Sequence, residues 1–189
     1  MRIIGGEARG RPVRLPGGCA IRPTADRVKK SLFDILGSVA GASFIDVYAG
    51  SGNVGLEALS RGAGFVFFVE SQTRLVAAIR SNLDQFGYGG RAEVIARDAE
   101  RGIAWLRERG ERVDVIFADP PYGEGFVSRT LLWLAAGELL NPGALVVMQH
   151  SAREMPEGSV IGRLSLGDQR SYGDTVLSFF TSNSEGNGK

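Results

Sequence analysis

The sequence predicts an α/β fold: a doubly wound, mostly parallel sheet with an antiparallel C-terminal edge, preceded by an N-terminal β-hairpin and helix. Three observations predict it. From residue 43 onward, short apolar runs alternate with stretches of helical periodicity. Each run is apolar almost throughout, as a parallel strand covered on both faces must be. The last two runs, 159–166 and 175–181, are joined only by a turn through Gly167 and Gly173, so they pair antiparallel.

In chain order, residues 2–15 hold two short strand-like pieces around a glycine-containing turn, closed by Pro16-Gly17-Gly18. A helix follows from Thr24 or Ala25 to Leu36. Thr24 sits after Pro23 and can cap it, and Val28, Leu32, Ile35 and Leu36 share one face. Gly37 stops it. Strands are expected at 43–48, 65–70, 92–96, 113–118 and 144–149, with helices at 54–61, 72–86, 99–109 and 126–140. The organisation expected is an N-terminal extension over 1–37, a sheet domain over 38–181, and a polar, glycine-rich tail over 182–189 that reads as disordered.

Composition narrows the function classes. Cys19 is the only cysteine and His150 the only histidine, so an internal disulfide is excluded and a zinc site is not expected. No apolar run reaches the length of a membrane span, and the N-terminus shows no signal pattern, so a cytoplasmic location is the default. Nothing in the sequence demands a dimer; a monomer is expected. The net charge of +1 hides an asymmetry. Residues 1–30 carry eight basic side chains against Glu7 and Asp26, a net +6, while the remaining chain holds fourteen basic and nineteen acidic residues, a net −5. A basic arm on a mildly acidic body suggests a polyanion partner, although charge alone is equally consistent with a solvated surface.

The strand ending in Asp46-Val47-Tyr48 runs into Ala49-Gly50-Ser51-Gly52-Asn53-Val54-Gly55. Gly50, Gly52 and Gly55 match G-x-G-x-x-G between a strand and a helix, which makes the sheet Rossmann-like and points to a nucleoside cofactor. Glu70, ending the next strand and followed by Ser71, can hold a ribose diol. Asp98, followed by Ala99, can reach an adenine edge or simply cap the next helix. Asp46 bears on the cofactor's charge. A carboxylate there is poorly placed for a pyrophosphate but favours the cationic sulfonium and ammonium of S-adenosylmethionine. Asp46 could also be a loop-capping residue.

Asp119-Pro120-Pro121-Tyr122-Gly123 follows a buried strand and reaches the carboxyl edge of the sheet, where ligands bind in such folds. The two prolines fix the loop and remove two donors, so it presents acceptors: the Asp119 carboxylate and the Pro120 carbonyl. Acceptors suit an aromatic amine, whose lone pair is delocalised into its ring. Gripping its N–H groups turns the lone pair toward a methyl donor and stabilises the charge growing on nitrogen. Tyr122 adds a face on which an unstacked base can lie. An ordinary stiff turn is the competing reading. Gln149 and His150 end a strand nearby and read as structural.

Asp119-Pro-Pro-Tyr122 resembles the motif shared by N6-adenine and N2-guanine amino-methyltransferases, and Asp46-Val-Tyr-Ala-Gly-Ser-Gly52 resembles an S-adenosylmethionine loop. Arg2-Ile-Ile-Gly-Gly6, Arg9-Gly-Arg11 and Arg22-Pro-Thr-Ala-Asp-Arg-Val28 are similar to the bacterial small-subunit ribosomal RNA guanine-N2 methyltransferase family, RsmD-like; Gly55–Ala63 and Tyr172-Gly-Asp-Thr175 extend the match. Tyr48 stands where that family usually has Phe. The resemblance implies an S-adenosylmethionine-dependent methyltransferase fold and N2-methylation of a guanine in small-subunit ribosomal RNA, in the 30S particle or an assembly intermediate. It implies that Asp119, Pro120, Pro121 and Tyr122 grip the guanine. Asp46, Tyr48, Ala49, Gly50, Ser51, Gly52, Glu70, Ser71, Asp98 and Ala99 would hold the cofactor. Arg2, Arg9, Arg11, Arg14, Arg22, Thr24 and Arg27 would hold RNA. Three readings compete: adenine-N6 methylation of DNA or RNA, a nicotinamide-dependent oxidoreductase resting on the glycines and Glu70, and a non-enzymatic RNA-binding assembly factor.

Overall fold

The computed structural model describes residues 1–16, 26–123, 125–156 and 158–183. One eight-stranded sheet carries the fold: β1 (Ser43–Val47), β2 (Phe65–Val69), β3 (Ala92–Ile95), β4 (Val113–Ala118), β5 (Leu140–Ser151), β6 (Val160–Ile161), β7 (Leu164–Tyr172) and β8 (Thr175–Ser182). Among the described residues five helices accompany it: α1 (Asp26–Leu36), α2 (Asn53–Ser60), α3 (Thr73–Phe86), α4 (Ala99–Glu108) and α5 (Phe126–Ala135). The strand order is β3-β2-β1-β4-β5-β8-β7-β6. The first five strands are parallel, and β8, β7 and β6 add an antiparallel edge. Strand order reverses between β1 and β4, and that switch point is where an open α/β sheet opens a crevice at its carboxyl edge.

Alternation along the strands builds two cores. On one face Phe44, Val66, Phe68, Val115, Phe117 and Val147 pack under α1, α2 and α3. On the other, Ile45, Val47, Ile116, Ala118, Val146 and Met148 pack under α4 and α5. Two glycines set how closely helices approach. A Cβ at Gly55 would come within 2.3 Å of the Phe68 ring, and one at Gly102 within 2.4 Å of Val69. Gly55 thus serves helix–strand packing rather than ligand approach.

Several boundaries differ from expectation. The helix expected over 126–140 ends at Ala135, because Gly137 takes a left-handed φ of 79° and reverses the chain. Leu139 and Leu140, read as a continuation of the helical stripe, are buried at the start of β5. The run 159–166 divides at Gly162 into β6 and the start of β7. Gly167 is a bulge inside β7, where the register shifts between Leu166 and Asp168, and the turn to β8 lies at Gly173 alone. A 3-10 turn over Gly89–Arg91 was not expected. Strand β8 runs through Ser182, which is buried, and the Asn183 amide donates to the Arg163 carbonyl, so residues 182 and 183, expected outside the sheet domain, are tied to the sheet edge. Residues 184–189 lie outside the described residues, as does the expected cap Thr24.

The N-terminal reversal forms, with a single antiparallel bridge between Arg2 and Pro12. The Ile3 amide donates to the Arg11 carbonyl at 3.0 Å and the Val13 amide to the Met1 carbonyl at 3.1 Å. Ile3, Ala8 and Val13 are buried, so the arm docks on the sheet domain instead of standing free. Its backbone is also tied to side chains there: Ile4 to Glu57, Ala8 to Ser60 and Arg14 to Asn82.

Candidate active site

The loop after β1 turns sharply at Tyr48, Gly50 and Gly52, whose φ values are 59°, 57° and 76°. At Gly50 a Cβ would meet only the Tyr48 carbonyl, at 3.9 Å, so one side of the loop is open to a close ligand. Tyr48 is the one described non-glycine residue with positive φ. Its hydroxyl hydrogen-bonds the buried Thr130 hydroxyl at 2.8 Å, and its ring meets Phe126 edge-on. These contacts fix the loop against α5, the helix that follows the Asp-Pro-Pro-Tyr segment. Ala49 is buried, and Ser51 is buried against the Met1 sulfur.

Three carboxylates converge on this edge. Asp46, buried on β1, accepts the Gly55 amide at 2.8 Å at the start of α2. Burial pushes its carboxyl well above the usual range; the Gly55 bond opposes this, and the neighbouring Asp119 and Glu70 charges add to it. Glu70, 7% exposed, accepts the Gly50 amide at 2.9 Å on one oxygen and the Gln72 amide at 2.7 Å on the other. Each oxygen keeps a lone pair for a hydroxyl, so the carboxylate is held in place yet still able to bind a ligand. Asp119 follows β4, half-buried, with its amide 3.4 Å from the Val47 carbonyl. Pro120 is buried, Pro121 is exposed, and Tyr122 is 47% exposed. The Gly123 amide donates to Glu154, which anchors the far end of the loop.

The remaining cofactor candidates lie one strand away. Asp98 caps α4 by accepting the Arg101 amide at 2.8 Å; its carboxylate is exposed, and Ala99 is the buried first residue of that helix. Ser71 is exposed beyond Glu70. The cap uses one Asp98 oxygen; the other lies 3.6 Å from the Arg101 guanidinium in an exposed ion pair that a ligand could displace. His150 is buried, its ring nitrogens bonded to the Ser178 hydroxyl and the Ser151 carbonyl. Burial lowers its pKa, which fits a neutral structural histidine.

The basic arm divides. Arg9, Arg14 and Arg27 are exposed, and Arg2 is exposed beside Asp26 at 3.6 Å. Arg11 lies over the Phe86 ring, 4.4 Å from its centroid, and donates to the Gln85 carbonyl, which ties the arm to α3. Arg22 and Thr24 fall outside the described residues. Lys29, counted in the +6, is fully buried and unavailable to a polyanion. Its ammonium sits 3.1 Å from Glu57 and donates to the Arg2 carbonyl and Asn53. Glu57 in turn accepts from the Ile4 amide and from Arg61. Sequence reasoning missed this network. Its one available signal was a glutamate at the centre of an otherwise apolar helix.

The chain is 33% identical over 182 residues to YlbH of Bacillus subtilis (strain 168), covering 95% of this chain and 98% of that one. It is 35% identical over 150 residues to ribosomal RNA small subunit methyltransferase D of Escherichia coli (strain K12), covering 79% and 74%. The solved structure of yhhF from Escherichia coli matches with a TM-score of 0.85 at 28% identity, covering 98% and 99%. The structure of SMU.776 with SAH matches with a TM-score of 0.65 over 82% of this chain and 48% of that one; at 15% identity the likeness is one of fold. The family described as conserved hypothetical protein 95 matches residues 1–181, and the chain belongs to it, the RsmD-like family of ribosomal RNA small subunit methyltransferase D.

Proposed function

We propose that the chain is an S-adenosylmethionine-dependent methyltransferase that modifies the N2 amine of a guanine in small-subunit ribosomal RNA. The observation that carries this reading is the convergence of Asp46, Glu70 and Asp119 at the β1–β4 switch point, close enough that two of them raise the carboxyl of the third. A doubly negative pyrophosphate would be repelled there, whereas a sulfonium and an ammonium are favoured. The residues therefore fit S-adenosylmethionine better than a dinucleotide. Glu70 would take its ribose diol, Asp46 and the Gly50–Gly52 loop its cationic part, and Asp98 its adenine edge. That cofactor supplies an electrophilic methyl group.

The chain's own part is to bring an amine to that methyl. Asp119 and the Pro120 carbonyl accept the two amine hydrogens and orient the nitrogen lone pair, while the stiff loop prevents them from relaxing away. Asp119 also stabilises the positive charge that develops on nitrogen. Exposed Tyr122 stacks on the base once it has left its helix. Arg9, Arg14 and Arg27 hold the phosphate backbone. Family membership and relatives named for small-subunit ribosomal RNA favour that RNA, in an assembling or assembled 30S particle in the cytoplasm, over DNA.

Two measurements test the reading. Calorimetry should give binding of S-adenosylmethionine and S-adenosylhomocysteine and no comparable binding of NAD. Small subunits from cells lacking the gene should accept labelled methyl on guanine, and DNA should not. Tight NAD binding without S-adenosylmethionine heat contradicts the cofactor assignment; label in adenine or in DNA contradicts the substrate.

A further inference from the structure

Gln149 has a polar atom that the fold leaves unanswered. It is 5% exposed, and its Oε1 has no hydrogen-bond partner among the described residues. A buried acceptor without a donor is unfavourable, so its persistence calls for a compensating role.

Its position suggests one. Strands β4 and β5 are parallel with Phe117 opposite Val147 and Ala118 opposite Met148. Carrying that register one residue past the end of β4 sets Gln149 opposite Asp119. Phe117 and Val147 both point into the core under α1 and α2, as does Leu177, the antiparallel neighbour of Gln149. Gln149, two residues after Val147, therefore emerges on that face. Asp119, two residues after Phe117, emerges there too, and its charge is felt by Asp46, which bonds to α2 from the same face. The unpaired amide oxygen and the carboxylate assigned to the target amine thus leave adjacent strands, side by side, on one side of the sheet.

We propose that Gln149 reads the target base: its amide oxygen accepts a hydrogen bond from the ring N–H adjacent to the amine held by Asp119. This rests on the methyltransferase reading above. The chemistry separates two purines. In guanine the amine at C2 adjoins a ring nitrogen that carries hydrogen, so the edge offers a continuous row of donors. In adenine the ring nitrogen beside the amine carries none and is an acceptor. Two acceptors from neighbouring strands match the guanine edge. A base anchored at two points also cannot pivot about its amine, which keeps the nitrogen aligned with the methyl group.

The test is single-turnover transfer of labelled methyl to small ribosomal subunits from cells lacking the gene, with wild type, Gln149→Leu and Gln149→Met compared. Melting temperature and S-adenosylmethionine affinity are measured on each protein. Gln149→Leu should be roughly ten- to a hundredfold slower, the scale of a substrate donor left without its acceptor. Its melting temperature should be unchanged or higher, because a buried unpaired amide has been removed. Gln149→Met keeps the length of the side chain without its acceptor oxygen and should be as slow as Gln149→Leu. Wild-type rate in Gln149→Leu overturns the proposal. So does a Gln149→Met variant at the wild-type rate, which would mean that only the packing of the side chain matters. Parallel loss of rate, melting temperature and cofactor affinity in Gln149→Leu also overturns it and returns the residue to a structural role. A wild-type protein inert on these subunits contradicts the methyltransferase reading itself, an outcome distinct from the others.

Discussion

Glu70 holds the Gly50–Gly52 loop through the Gly50 amide and takes the Gln72 amide on its other oxygen; on the proposed reading it also takes the ribose diol. Replacing it with Ala should weaken S-adenosylmethionine binding by about 1–3 kcal/mol through lost charge-assisted hydrogen bonds, measured by calorimetry. Asp46 adds a pH signature. Its carboxyl is raised well above the ordinary range, first by burial. A cationic ligand favours the ionised form, so affinity should rise with pH through the raised value, and binding at lower pH should release a proton. The sign for stability is opposite. Between the ordinary and raised values the folded, ligand-free protein holds the proton that the unfolded chain has lost, so its stability falls as pH rises through that window. Calorimetry in buffers of different ionisation heat should detect the proton, and Asp46→Asn should abolish it. A pH-independent affinity would show that Asp46 only caps α2.

At the scale of elements, the parallel strands were legible because each is a short apolar run bounded by turn residues; β4 matches its expected range residue for residue. Helix α5 was overrun because Leu139 and Leu140 continue its apolar period, and only the backbone reversal at Gly137 separates helix from strand. The order of the candidate site's parts along the chain was equally readable: strand, glycine loop, acid, then Asp-Pro-Pro-Tyr. The burial of Lys29 was not, because a lysine in a basic stretch gives no sign of the glutamate that receives it from another helix. The arm follows the same division between local and distant information. Arg11 is engaged with Phe86 and Gln85, whereas Arg9, Arg14 and Arg27 project outward. Replacing those three with Ala should weaken RNA binding and reduce the log–log salt slope by about 0.7 for each lost single-strand phosphate contact. Filter binding across a salt series reads this, and an unchanged slope would mean these side chains are merely solvated.

Across the whole molecule, the Lys29–Glu57 pair joins three parts that must agree: the arm through Arg2 and Ile4, helix α1, and helix α2, which begins where the cofactor loop ends. Burial lowers the Lys29 pKa while Glu57 works to raise it. Glu57 keeps Arg61 and the Ile4 amide if Lys29 is lost, but Lys29 has no other carboxylate partner within the pair, so Glu57→Ala leaves a buried ammonium without its counter-ion and should cost about 3–5 kcal/mol in denaturant unfolding, whereas replacing both partners with apolar residues should cost far less. A small effect of the single change would show that water reaches the pair. On the proposed reading the switch point concentrates function: β1 leads into the loop assigned to the cofactor, and β4 leads to Asp119 at the same edge. That Asp119 holds the reacting amine is the central claim, and single-turnover methyl transfer to undermodified small subunits by Asp119→Ala tests it most directly. Asp119→Ala should be a folded protein with much of its S-adenosylmethionine affinity and a transfer rate lower by a factor of roughly a hundred to a thousand. Transfer at the wild-type rate would contradict it and reduce the Asp119–Tyr122 loop to a stiff turn.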